Sequence, residues 1–379
     1  MTGGLPRRER IPTLDILRGY FILVVLIDHL GFFPSLFELG TGRGTLWASA
    51  AEGFFIISGV IVGYVYGPIL SRSLAAAFKK MWRRAAQLYV LSLALTYLFV
   101  FWGHFVPQDR IKEGLWQYPP IGEFIYKTLT LQYYYGWADF LPYYAVFMLF
   151  APLVVYLCYK RLAWLVPPLT VAIWLARQNS FYPAWQILFM NSIVFGYYLP
   201  EIERWVRGKS DVIKRRVKVA LYTAAIVTVA FSALMVNVSF SLLYYDFDRF
   251  LTLPVWLQQL IFHLDGFHEL TRPWDVKWTL EPLRFSMAVL WFGALYVLVR
   301  GHEQAISRLT RGFFTTLGRS SLFAYNLQAV TVFAVLLLVS NTVNFVLNTL
   351  MTLAVVAVFY VVVLYWHRAI VARRRQRRA

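Results

Sequence analysis

Arg18 and His29 stand eleven residues apart inside a stretch that is otherwise largely apolar, IPTLDILRGYFILVVLIDHLGFF. If the stretch is helical, eleven steps of 100° return to within about 20° of the start, so both side chains share a face. The rise per residue separates them by about 16 Å along the axis. A guanidinium stays charged and grips phosphate oxygens through a planar fork. An imidazole exchanges a proton near neutral pH. One end of such a helix could hold an anion while the other moves a proton. The plainer alternative is that Arg18 snorkels to an interface beside Asp15, three residues earlier, and that His29 merely ends the helix.

The second apolar run, beginning AAEGFFIISG, carries Glu52 and Ser58. If it returns antiparallel to the first, Glu52 starts at the depth of His29. A carboxylate beside an imidazole sets its tautomer and raises its basicity, so Glu52 is the expected orienter of His29. Asp28 competes for that place, but adjacent residues on a helix point about 100° apart. Ser58 lies about 9 Å deeper than Glu52. Gly53, Gly59, Gly63 and Gly67 permit close helix approach or leave room for a substrate. For Ser58 and Gly59 helix packing outweighs a serine nucleophile, since no second histidine stands ready to activate the hydroxyl.

These residues need a scaffold, and the composition names its class. The chain has 379 residues, 59% hydrophobic and only 15% charged. Soluble domains carry about 25% charged residues. Apolar runs of about 18 residues or more recur, the length of a membrane span. The expected fold is therefore all-α, one polytopic membrane domain over 1–379. Ten spans are expected at 11–31, 46–70, 85–106, 138–158, 162–178, 184–200, 218–240, 282–299, 320–341 and 344–366. No small-residue cleavage site follows the first run, which reads as a retained span. Thr13 can cap it, next to Pro12.

The net charge of +18 would suit nucleic acid, but its distribution argues otherwise. With the N-terminus in the cytoplasm, 27 of the 37 lysines and arginines fall on the cytoplasmic side and nine on the other, Arg18 lying within a span. That is the positive-inside bias of a multi-pass protein with both termini in the cytoplasm. The tail at 367–379, with RRRQRR, reads as an anchor near anionic lipid. The single cysteine, Cys158, excludes an intrachain disulfide and a cysteine metal cluster.

Two long extracytoplasmic loops, 107–137 and 241–281, are rich in Trp and Tyr and could roof a site. The second holds an interfacial or re-entrant piece, FLTLPVWLQQLIFHL. It continues into HLDGFHE, where His263 and His268 make a weak metal pattern that reads better as a solvated loop. Internal repeats and paired broken helices, the marks of many transporters, are not evident.

LDILRGYFILVVLIDH resembles the Arg-x10-His first-helix motif of the acyltransferase-3 superfamily of membrane proteins, and AAEGFFIISGVIVGYVYG resembles its second-helix motif. The leading Ala-Glu and the later Tyr-Gly are closest to the periplasmic glucan succinyltransferase branch, the OpgC family. DFLPYYAVFMLFAPL, YPAWQILFMNSIVFG and LGRSSLFAYNLQ are similar to later segments of that branch. The likeness covers most of the chain and fails in the long outer loops. It departs at the third helix, where the family's Arg-x-x-Arg is replaced by Arg84 followed by Gln87. It departs again at the ninth, where Asn326 and Gln328 stand where many relatives have histidine.

The resemblance implies O-acyl transfer in the cytoplasmic membrane. An acetyl or succinyl group would pass from cytoplasmic acyl-CoA to a hydroxyl of an extracytoplasmic glycan. Arg18 and His29 carry over as the functional pair, and Ser58 with Gly59 as the second motif. On this reading His29 is the base and Glu52 its orienter. Arg18, Arg83 and Arg84 hold the donor phosphates, and Ser58 and Gly59 line the donor's passage. Acyl-CoA is a co-substrate; no bound cofactor or metal is expected, and no nucleic-acid partner. A transporter or flippase of a glycan or lipid-linked substrate would use the same intramembrane charges and is the alternative.

Overall fold

The computed structural model describes residues 9–105, 120–136, 140–239, 242–243, 247–339 and 342–376. These residues are all-helical, with no strand among them. Ten helices form the frame. They are α1 (Pro12–Leu30), α2 (Ala50–Leu70), α3 (Leu74–Gly103), α4 (Phe140–Tyr159), α5 (Val166–Leu175), α6 (Phe181–Arg207), α7 (Asp211–Ala233), α8 (Pro282–Val299), α9 (Ser321–Leu338) and α10 (Phe345–Gln376).

Each of the ten expected spans falls on one of these helices. Seven of the described helices are long and apolar enough to cross a bilayer, which makes this a multi-pass membrane protein. The other three are α1, α5 and α6. Asp15, Arg18 and Asp28 dilute α1. The apolar stretch Ala163–Leu175 around α5 reaches only about 20 Å. Gln186 and Asn191 lower the hydropathy of α6. A helix with such polar groups is stable at membrane depth only if neighbours cover it. That is the case for α1, which is ringed by α2, α8, α9, α10 and the short helix Phe313–Arg319. The first helix is thus buried because of its charges, which have to face protein.

Thr13 does not cap α1. The N-cap is Ile11, with Pro12 opening the helix, and the Thr13 hydroxyl donates instead to Glu303 Oε1 at 2.5 Å. Proline at the first helical position has no N–H to be capped, which frees the threonine for a tertiary bond.

The most extensive pairing is α2 with α6. Gly59 and Gly63 on α2 meet α6, and Gly196 on α6 meets α2, with backbone against backbone. A Cβ on Gly59 would overlap Phe189 O and come within 2.7 Å of the Ser192 Cβ, and one on Gly196 would overlap Val60 O. The same device joins α1 to Phe313–Arg319: Gly19 abuts Phe314 O and Gly318 abuts Asp15 O. Small residues permit this approach, and dispersion and backbone contact then hold helices that gain nothing from the hydrophobic effect in lipid.

Most of the loop 107–137 lies outside the described residues; its described part forms the helix Ile121–Leu129. The interfacial piece of 241–281 is the helix Val255–Thr271, with Ile261 buried and Trp256, Leu260, Phe262 and Leu270 exposed. His263 and His268 lie on this helix and not in a loop. Five residues apart, they diverge by about 140° around its axis, which is poor geometry for sharing a metal. The described part of the basic tail has no separate structure, because α10 continues as helix to Gln376.

Candidate active site

Arg18 and His29 lie on one face of α1, at opposite ends. At the His29 end, the imidazole Nδ1 is 2.9 Å from Gln328 Nε2. Gln328 sits on α9 and is completely buried. A lone glutamine in SLFAYNLQAVTVFAVLLL was the available signal, since an amide in lipid needs a partner. With the amide nitrogen facing Nδ1, a neutral His29 carries its proton on Nε2. Base work at Nε2 needs the other tautomer, with Nδ1–H donating to the amide oxygen. Gln328 Oε1 is buried without a hydrogen-bond partner. A half-turn of the amide exchanges its two ends and supplies that tautomer, and the two orientations are equivalent in shape.

Glu52 does not orient His29, contrary to the expectation. One carboxylate oxygen accepts from Ser49 N at 2.8 Å and Ser49 Oγ at 2.6 Å, closing a capping box at the start of α2. The other accepts from Arg284 Nη1 at 2.9 Å. Both Glu52 and Arg284 are buried, at 0% and 4% exposure. Arg284 also reaches Leu46 O and Asp275 O through its remaining donors. The physical reason is position: Glu52 is the third residue of α2, where a carboxylate satisfies free N–H groups. What sequence reasoning missed is Arg284, a cation in an apolar helix that had to have a carboxylate within reach. Asp275 Oδ1 lies 3.3 Å from Arg284 Nε. Burial pushes the Asp275 carboxyl up to about 6, against the opposing pull of Arg284.

At the other end, Arg18 is half-buried and forms no ion pair within 4 Å among the described residues. Its Nε is buried without a hydrogen-bond partner. The pairing expected with Asp15 is not made. Asp15 Oδ2 lies 3.6 Å from Arg319 Nε and 3.9 Å from Arg10 Nη1. The tight Gly318 crossing brings Arg319 to Asp15 and leaves Arg18 unmatched. Within electrostatic reach of Arg18 are Tyr144, Asp15, Arg84 and Arg10. Arg84 is half-buried and donates to Gln87 Oε1 at 2.9 Å. Arg83 is exposed, one step around α3, and shares no contact with this group among the described residues. Of the two basic residues expected on α3, only Arg84 is gathered with Arg18.

Ser58 is buried on α2, and Gly59 beside it serves the α6 crossing. The role expected for Gly59 in lining a passage therefore gives way to packing, because a backbone already occupies the space.

A cavity of about 850 Å³ lies between α1, α2, α7 and α8, lined by Tyr20, Phe21, Ser49, Gly53, Ala225 and Trp291 among others. On α1, Tyr20 and Val24 lie about 120–180° around the axis from Arg18 and His29, with Phe21 between about 60° and 80° from them. That cavity is thus separate from the Arg18–His29 face.

A family profile described as OpgC protein matches residues 10–370, nearly the whole chain. The chain belongs to the OpgC family. No curated protein and no solved structure matches it. Membership in the OpgC family makes this an acyltransferase-type membrane enzyme. Gln328 is the residue of this OpgC chain most directly tied to His29. Gln328→Leu, which keeps the volume but removes the hydrogen bond, is expected to lower kcat about 10-fold or more, as losing a positioning contact to a base does. Steady-state rates in membranes check this, and Gln328→Glu, which can accept from Nδ1–H, should recover most of the loss.

Proposed function

We propose that this OpgC-family protein transfers an acyl group, acetyl or succinyl, from acyl-CoA to a hydroxyl of an extracytoplasmic glycan, across the cytoplasmic membrane. The observation that carries the proposal is the unmatched cationic pair at one end of α1. Arg18 and Arg84 lie within electrostatic reach of each other; Asp15 is also in reach of Arg18 but pairs at closer range with Arg319 and Arg10, so neither Arg18 nor Arg84 has a carboxylate within 4 Å among the described residues. Two like charges held together in a partly buried place repel, and an anion between them relieves the strain. The phosphates of coenzyme A are such an anion, and arginine forks suit them.

The lysine and arginine bias supports a cytoplasmic location for this end. The donor's acyl thioester then extends along α1 towards His29, about 16 Å away by helical rise. His29, held by Gln328, takes the proton of the acceptor hydroxyl as it attacks the thioester carbon. The same proton then goes to the departing thiolate, so the ester and the free thiol are the products. Ser58, part-way between the two ends, is available to hydrogen-bond the donor arm.

Arg18→Gln is expected to raise the KM for acyl-CoA about 10- to 100-fold with a much smaller change in kcat, since a charge-assisted contact to phosphate contributes about 1.5–3 kcal/mol. Initial rates with labelled acyl-CoA in membrane vesicles measure this. An unchanged donor KM would remove the phosphate role. Mass spectrometry of envelope glycans from cells with and without the protein identifies the acyl group and its acceptor.

A further inference from the structure

Three aromatic side chains from three helices meet in front of α1: Phe54 on α2, Phe140 on α4 and Tyr325 on α9. Their ring centroids are 5.5 Å apart for Phe54 and Phe140, 6.3 Å for Phe54 and Tyr325, and 5.4 Å for Phe140 and Tyr325. That is the spacing of rings in contact. Phe54 also lies 6.0 Å from Phe21, which fixes the level of the cluster on α1. Phe21 is three residues beyond Arg18 and eight before His29, so by helical rise it stands about 4.5 Å above the one and about 12 Å below the other.

The cluster lies across the route that joins them. α2 packs on the Phe21 side of α1, where Gly53 abuts the Phe21 ring. α9 comes to the His29 side, where Gln328 Nε2 meets the imidazole at 2.9 Å. Phe54 and Tyr325 reach from one of these helices to the other, and so cross in front of the arc between Phe21 and His29. Tyr325 is one turn before Gln328 on α9, and Phe54 is one turn above Ser58 on α2. Phe54 and Tyr325 are only 5% and 6% exposed. Three rings in mutual contact close the space between them, and a thioester passing from Arg18 to His29 has to part them.

We propose that Phe54, Phe140 and Tyr325 form an aromatic gate on the donor's route and set the size of acyl group that reaches His29. This rests on the reading of Arg18 and His29 as the donor and base ends. Phe140 is the ring that yields most readily. It is half-buried where the other two are buried, and it is the first residue of α4, where a backbone N–H has no intrahelical bond to lose. A short acyl group displaces one ring, whereas a long chain holds all three apart and forfeits their contacts. With the rings closed around the donor arm, water is kept from the thioester.

The test uses the full chain solubilised in detergent, so that both faces are open. Acetyl-CoA, succinyl-CoA and octanoyl-CoA are the donors and a soluble glucan oligosaccharide is the acceptor. Phe140→Ala is expected to raise kcat/KM for octanoyl-CoA relative to acetyl-CoA about 10-fold or more, the scale on which an apolar pocket discriminates chain length. It should also raise hydrolysis without acceptor, in which water takes the acyl group and the free thiol of coenzyme A is released. Phe140→Trp, which narrows the gate, should lower kcat/KM for succinyl-CoA relative to acetyl-CoA about 10-fold. Loss of packing alone lowers transfer from all donors together and does not move these ratios; Phe140→Leu serves as the widening variant if Phe140→Ala does not fold. The gate is overturned if the ratios stay at their wild-type values in the widening and narrowing variants, or if all three donors fall in parallel. Wild-type protein that transfers from none of the donors overturns the acyl-transfer reading and the gate with it, whereas an active wild type with fixed ratios in the variants removes the gate alone.

Discussion

His29→Gln is expected to reduce acyl transfer about 10²–10⁴-fold while leaving the protein inserted and folded. The reduction is that of losing a positioned general base. In free energy it amounts to about 3–5 kcal/mol of lost transition-state stabilisation, at 1.36 kcal/mol for each tenfold. Glutamine is chosen because it can still hydrogen-bond Gln328, the partner that lies 2.9 Å from the imidazole in the wild type. Alanine would leave the Gln328 amide buried with neither end paired, at a cost of about 1–3 kcal/mol in stability, and would mix the two effects. Turnover of labelled acyl-CoA with and without acceptor measures the chemistry, and the thermal midpoint in detergent measures the fold. Wild-type turnover in His29→Gln would end the assignment. A loss of turnover accompanied by a large fall in the midpoint would show that the histidine is structural.

The second large effect concerns Glu52. Arg284→Met is expected to destabilise the protein by about 3–5 kcal/mol, because it leaves Glu52 as an unmatched buried charge, and Glu52→Gln by less, because Arg284 keeps the Asp275 carboxylate 3.3 Å from its Nε. The double variant should lose much less than the sum of the two, since a buried ion pair replaced as a unit is often close to neutral. Thermal midpoints of the three variants in one detergent close the cycle. An orienter of His29 would behave in the opposite way: Glu52→Gln would keep its stability and lose turnover, and Arg284→Met would not repair it. The cycle therefore separates the structural role that the geometry assigns to Glu52 from the catalytic role that its depth in the sequence suggested. It also bears on the segment before α8, because Arg284 holds both Glu52 and Asp275.

Much of the frame was legible in the sequence, for a simple reason. In a bilayer each backbone group must bond within its own helix, so a long apolar run has almost one outcome. The spacing of Arg18 and His29 on one face of α1 follows from helical periodicity alone, and so does the depth of Glu52 relative to Ser58. The family could be read from the first two helices before any contact was known. The sequence also carried Gln328, noted only as a departure from the family's pattern, and Arg284, both of which had to be paired somewhere.

What only the tertiary structure decided is which partner each polar group takes. Asp15, three residues from Arg18, goes to Arg319 and Arg10, because the glycine crossing at Gly318 brings a distant arginine closer. Glu52 goes to Ser49 and Arg284, and a residue 299 positions away, Gln328, takes His29. Gly59 turned out to face a neighbouring backbone and not a passage. Local spacing states which side chains could meet along one helix. It is silent on the rotation and approach of the helices beside it. In a low-dielectric interior those fix the pairing, because every charge or amide must find the nearest group able to satisfy it.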